Sequence, residues 1–210
     1  MILDIEARGF SPRATVIAAR TIGSCYQMLF RPDSRPLIGL ALFSVMPVGD
    51  DFRFEAEMRV LRDGELPAAL LDWLEPRVPA EGAILSWDHW WPLPARLAAL
   101  ATAEHPRIQA AAAETEGRWR DLPRAYSWHL KHARATAMPC LCGPGDPGPC
   151  GPRLPAALLP DPQVTERTLI DEAMRGWTSW AHGFGDFDDA THPAQRALAA
   201  HRAWTAAQPA

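Results

Sequence analysis

The first residues whose types and spacing could do chemistry are two carboxylates near the start of the chain, in Met1-Ile2-Leu3-Asp4-Ile5-Glu6. Residues two apart in an extended strand project from the same face, so Asp4 and Glu6 can converge on one point and clamp a divalent cation through oxygen ligands. Their neighbours Ile2, Leu3 and Ile5 predict a short buried strand over residues 1–7; a solvated edge is the plainer alternative. A second group is His129, His132, Cys140, Cys142 and Cys150. Thiolate and imidazole bind zinc tetrahedrally, and the binding energy becomes folding energy, so Cys140, Cys142, Cys150 and His132 are candidate ligands of a structural Zn2+. Paired CxxC knuckles are absent, and free thiols in a loop are the competing reading. Asp186, Asp188 and Asp189 form a third group just before a helix start, where acids favour the helix dipole.

The elements that must position these residues are legible from periodicity. Apolar or β-branched runs at Ala14 to Ala19, Ser24 to Phe30 and Leu37 to Val45, and period-two alternation from Phe52 to Met58, predict a sheet-rich first quarter. From Pro67 the period becomes helical, with Leu70, Leu71, Trp73 and Leu74 on one stripe that ends before Pro76. Ala83 to Trp87 reads as a buried strand, and Pro94 to Ala113 as a helix interrupted near Pro106. Further helices are expected over Leu122 to Ala137, over Thr165 to Trp180, and from Thr191 as N-cap through Pro193 to Ala207. The alternation of strands and helices predicts an α/β sheet with at least one crossover. Residues 139–162 are Pro/Gly/Cys-rich and fit neither helix nor central strand, so they are expected to be a loop inserted into one domain spanning 1–210.

Composition narrows the classes. The chain has 210 residues, 48% of them hydrophobic, and 25 acids against 21 bases for a formal charge of -4. That apolar share excludes disorder over the whole length, and the near-neutral balance excludes a histone-like binder. Any nucleic-acid contact would need a local basic face or metal ions. The acidic N-terminus lacks the basic region of a secretion signal and no apolar run approaches a membrane span, so a cytoplasmic location without membrane contact is expected.

Ile2-Leu3-Asp4-Ile5-Glu6-Ala7-Arg8-Gly9 resembles the first motif of the DEDD-type 3'-5' exonucleases of the RNase H-like superfamily, whose opening strand carries Asp-x-Glu after apolar residues. The order of the following strands and helices is similar, and Ser86-Trp87-Asp88-His89-Trp90-Trp91 occupies the place of the second motif. The resemblance implies an RNase H-like mixed sheet flanked by helices. It also implies two Mg2+ or Mn2+ ions held by Asp4, Glu6, Asp88 and an acid such as Asp188 or Asp189, cleaving phosphodiester bonds at a 3' end of single-stranded DNA or RNA. His182, His192 or His201 would deprotonate the attacking water, which makes Asp4, Glu6, Asp88, Asp189 and His192 the catalytic candidates. Arg118, Arg120, Arg124, His129, Lys131, His132 and Arg134 are candidate phosphate contacts, and Trp87, Trp90 and Trp91 candidate stacking platforms, unless those rings simply pack in the core. The family's fourth acid lies in its final helix, and here the matching stretch Arg196 to Ala203 contains no Asp or Glu. Either the run at 186–189 or His201 replaces it, or catalysis has been lost. The alternative to an exonuclease is thus an inactive domain of the same fold that binds nucleic acid, or a protein partner through the 139–162 loop.

Overall fold

In the computed structural model, residues 9–21, 37–86, 93–113, 118–121, 162–184 and 189–208 are described. Five strands form one mixed sheet: β1 Ala14–Thr21, β2 Leu37–Val48, β3 Asp51–Val60, β4 Ala83–Ser86 and β5 Trp119–Asp121, in the order β3-β2-β1-β4-β5. β2 runs antiparallel to both β1 and β3, whereas β1, β4 and β5 are parallel. β1 is the centre of the sheet because both of its faces are apolar: Ala14, Val16 and Ala18 point one way, Ile17 the other, and all are buried. β3 is an edge strand and alternates as such, with Phe54 and Val60 buried and Glu55 and Glu57 in solvent. Exposed ion pairs such as Glu57 with Arg77, at 2.9 Å, charge that edge.

Helices cover both faces. α1 Ala68–Leu74, α2 Leu93–Leu100 and α3 Pro106–Ala113 set Leu70, Leu71, Leu74, Leu97 and Ile108 against Ile17, Leu40, Leu42 and Ile84. The interruption expected near Pro106 is real and makes two helices. Glu75 accepts from the backbone N–H groups of Arg107 and Ile108 at 2.7 and 3.0 Å, satisfying two donors that a helix start leaves unpaired. The buried His105 closes the turn before α3. Its Nδ1 takes the Thr102 backbone N–H, and its Nε2 meets Asp72 Oδ1, each at 3.0 Å.

The opposite face carries α4 Pro162–His182 and α5 Pro193–Ala206, whose Leu169, Ala173, Trp177, Ala197 and Leu198 pack on Val16, Phe43, Phe54 and Leu85. α4 runs antiparallel to β1. Its middle residue Glu172 meets Arg20 near the carboxyl end of β1, while Trp180 stacks on Phe10, ahead of β1, at 4.9 Å. One glycine is dictated by backbone approach: Gly82 holds φ +85°, and a Cβ there would lie 2.6 Å from the Arg13 carbonyl oxygen. The next residue, Ala83, donates its N–H to that same carbonyl at 3.0 Å, locking β4 beside β1.

The α/β class expected from periodicity and the helix-flanked mixed sheet implied by the resemblance are therefore present. The strand expected over 1–7, the run Ser24 to Phe30, the helix over Leu122 to Ala137 and nearly all of the 139–162 loop lie outside the described residues. β5 had no counterpart among the periodic segments, since three residues are too few to show a period. Among the described residues, no helix is long and apolar enough to cross a membrane.

Candidate functional site at the carboxyl end of the central strands

The chain leaves β1 towards β2 on one side and leaves β4 towards β5 on the other. In open α/β sheets such a reversal opens a crevice outside the carboxyl ends of the strands, where ligands bind. Here those ends are Thr21 of β1 and Ser86 of β4, and Ser86 is two residues before Asp88 in the sequence.

The polar groups described at this end come from four elements. Arg20 follows Val16 and Ala18 along the face of β1 that meets α4, and its Nη2 donates to Glu172 Oε1. The Arg20 side chain is 18% exposed and that of Glu172 6%. Burial raises the Glu172 carboxyl above the ordinary range, and the Arg20 guanidinium opposes that shift by attraction and hydrogen bonding. Among the described residues, Arg20 Nε is buried without an acceptor. On the other face of the sheet, Ser86 Oγ accepts from Trp119 Nε1 of β5 at 3.0 Å. This end therefore combines a fixed cation, a buried acid and an unused N–H donor.

The amino end of β1 differs. Phe10 lies within 4.9 to 6.3 Å, centroid to centroid, of Trp180, Phe184 and His192. Asp189 Oδ1 accepts from the Thr191 backbone N–H at 2.9 Å and from its hydroxyl at 2.6 Å, and these bonds lower the exposed carboxyl's pKa. The expected N-cap Thr191 is thus occupied by Asp189. His192 caps α5 instead, its Nδ1 accepting the Ala194 N–H at 3.2 Å ahead of Pro193. Asp189 and His192 are brought together with each other and with Phe10. They sit at the far end of an eight-residue strand from Arg20, a span of about 25 Å, while Ser86 pairs with Ile17 midway along it.

His201, a candidate replacement for the missing acid, is a core residue. Phe43, Phe54, Trp177 and Trp204 surround it at 5.1 to 5.9 Å, and its Nε2 is buried without a partner among the described residues. Burial, and after it the charge of Arg202, lowers its pKa. Asp4, Glu6, Asp88, Asp186, Asp188, Cys140, Cys142, Cys150, His129 and His132 lie outside the described residues, as do Trp87, Trp90 and Trp91. Among the described residues, no three His, Cys, Asp or Glu side chains gather as a metal site would require.

Sequence reasoning passed over Arg20 and Glu172. The available signals were an arginine ending an apolar strand, and a carboxylate three residues after Leu169, adjoining the stripe of Leu169, Ala173 and Trp177. Searches against protein-family models, curated proteins and solved structures find no match to this chain.

Proposed function

We infer that the chain is an RNase H-like domain that has kept the fold without the hydrolytic centre and serves as a binding module for single-stranded nucleic acid. The strand order and, among the described residues, the single reversed strand are compatible with that fold. One observation carries the loss of hydrolysis. The central strand β1 reads Ala-Thr-Val-Ile-Ala-Ala-Arg-Thr and contains no carboxylate, so the same-face pair near its carboxyl end is Ala18 and Arg20 where an exonuclease needs Asp and Glu. A guanidinium at that position disfavours a divalent cation, and it engages the nearby Glu172 carboxylate in an ion pair.

Binding is supported by the side chains that come after the parallel strands in sequence. Trp87, Trp90 and Trp91 come directly after β4, Arg120 lies within β5, and Arg124, Lys131 and Arg134 succeed it, whereas Arg118 stands at the amino end of β5 with its Nη1 on the Pro79 carbonyl. Aromatic platforms together with basic side chains suit single strands, since every base has a face to stack and every nucleotide a phosphate to neutralise. Local placement of these bases lets a chain of net charge -4 hold a polyanion without a global positive field.

The hydrolytic reading, a 3'-5' exonuclease using two Mg2+ or Mn2+ ions on Asp4, Glu6, Asp88 and Asp188 or Asp189, requires acids from ahead of β1 to reach its carboxyl end. It is tested with labelled single-stranded DNA and RNA in Mn2+, using the wild-type chain beside Asp4→Ala. The expected result is binding without shortening by either protein. Metal-dependent shortening by the wild type that Asp4→Ala abolishes would establish the exonuclease instead. Zinc at Cys140, Cys142, Cys150 and His132 is a separate proposal, and metal analysis giving less than one equivalent would remove it.

A further inference from the structure

The Arg20–Glu172 pair has an unspent capacity. A guanidinium offers five N–H donors in a planar fork. Glu172 takes one of them, through Nη2, and Nε is buried with no acceptor among the described residues. A buried donor left unsatisfied is unfavourable, and turning the guanidinium towards an anion at its exposed edge would release Nε from that position. Arg20 is also placed for a ligand. It lies one residue from the carboxyl end of β1, three positions past the point where β4 ends opposite Ile17, and its side chain is 18% exposed, enough to meet a group from outside. Phosphate fits best, because two parallel N–H groups match two phosphate oxygens.

Resting on the nucleic-acid reading above, we propose that Arg20 takes a phosphate group of the bound strand, with Glu172 as the positioning residue that holds the guanidinium in the empty protein. Binding then exchanges a monodentate carboxylate contact for a phosphate contact. Glu172 competes with the ligand for the same cation, so weakening Glu172 strengthens binding.

The test measures binding of a fluorescent single-stranded oligonucleotide across a salt series, with 5'-phosphate, 3'-phosphate and unphosphorylated ends compared. Arg20→Met is expected to weaken binding about tenfold and to make the log-log salt dependence shallower by about 0.7, the share of one phosphate contact on a single strand. Arg20→Lys should keep the salt slope at intermediate affinity, since it keeps the charge and loses the fork. Glu172→Gln should bind at least as tightly as wild type. A terminal phosphate as the ligand shows as an Arg20-dependent preference among the three ends, and an internal phosphate as an equal loss on all three.

In a parallel arm, inorganic phosphate should raise the melting temperature of wild type more than that of Arg20→Met. Circular dichroism checks each variant's fold, and Arg20→Lys with Glu172→Gln carry the test should Arg20→Met unfold. Equal affinity and equal salt slope in wild type and Arg20→Met, or weaker binding by a folded Glu172→Gln, would overturn the proposal. Equal phosphate shifts in wild type and Arg20→Met would overturn it too. Absence of strand binding by wild type together with an Arg20-dependent phosphate shift would instead overturn the nucleic-acid reading and keep Arg20 as a phosphate site.

Discussion

The two ends of β1 satisfy their polar groups in different ways. At the amino end the polar bonds are local: Asp189 serves Thr191 and His192 serves Ala194, each partner two residues away, above a stack of Phe10, Trp180 and Phe184. At the carboxyl end a bond between residues 152 positions apart joins Arg20 to Glu172, and a donor beside it is unused. Local caps close a corner and ask nothing of a ligand. A long-range pair of buried charges with spare hydrogen-bonding capacity is expensive for the fold, and its natural use is recognition.

That contrast is open to experiment, and the largest effect is expected at the closed end. Trp180 is 1% exposed and fills the space between Phe10 and Phe184. Trp180→Ala should lose about 3 to 5 kcal/mol in urea unfolding and leave the affinity of the surviving folded fraction for nucleic acid unchanged. Next comes the pair itself. Glu172→Ala strands the Arg20 guanidinium and should lose about 3 kcal/mol. The double variant Arg20→Met with Glu172→Met should regain most of that stability while losing phosphate binding, which separates the pair's part in folding from its part in recognition.

A pH series gives a smaller effect. His201 is held neutral by its aromatic surroundings, its native pKa lying below the unfolded value. Its contribution is fully present above the unfolded value of about 6.5 and is lost as the pH falls through the lowered native value. His201→Phe should flatten that slope. Glu172 has the opposite sign. Its native pKa is raised, so stability falls as the pH rises from the ordinary carboxylate range through the raised value. Unfolding free energies measured from pH 4 to 8 on wild type, His201→Phe and Glu172→Gln check the two signs. The smallest effect is expected for Asp189→Ala, which removes an exposed turn contact: a slight fall in melting temperature and no change in strand binding.

Much of this fold was legible because its periods are strong. The alternation around Phe54 and Glu57 marks β3, and the stripe of Leu169, Ala173 and Trp177 marks α4. The centre of the sheet was harder to see. Ala14 to Ala19 gives no hint of being central rather than one strand among several. β1 became central through pairing with β2 on one side and β4 on the other, which is long-range information. The Asp189 and His192 pair shows the converse: acids and imidazoles near a helix start carry chemical types suited to catalysis, yet short-range capping uses them first. The pairing of Arg20 with Glu172 was not legible, because neither belongs to a motif and only the antiparallel run of α4 along β1 brings them together.

In the proposed function the carboxyl end of β1 and β4 holds a nucleic-acid strand and does not cut it. The decisive measurement is the length of an end-labelled single-stranded oligonucleotide recovered from its complex with the wild-type protein after incubation in Mn2+. A retained, full-length strand is the expected result. A strand shortened stepwise from its 3' end would contradict it.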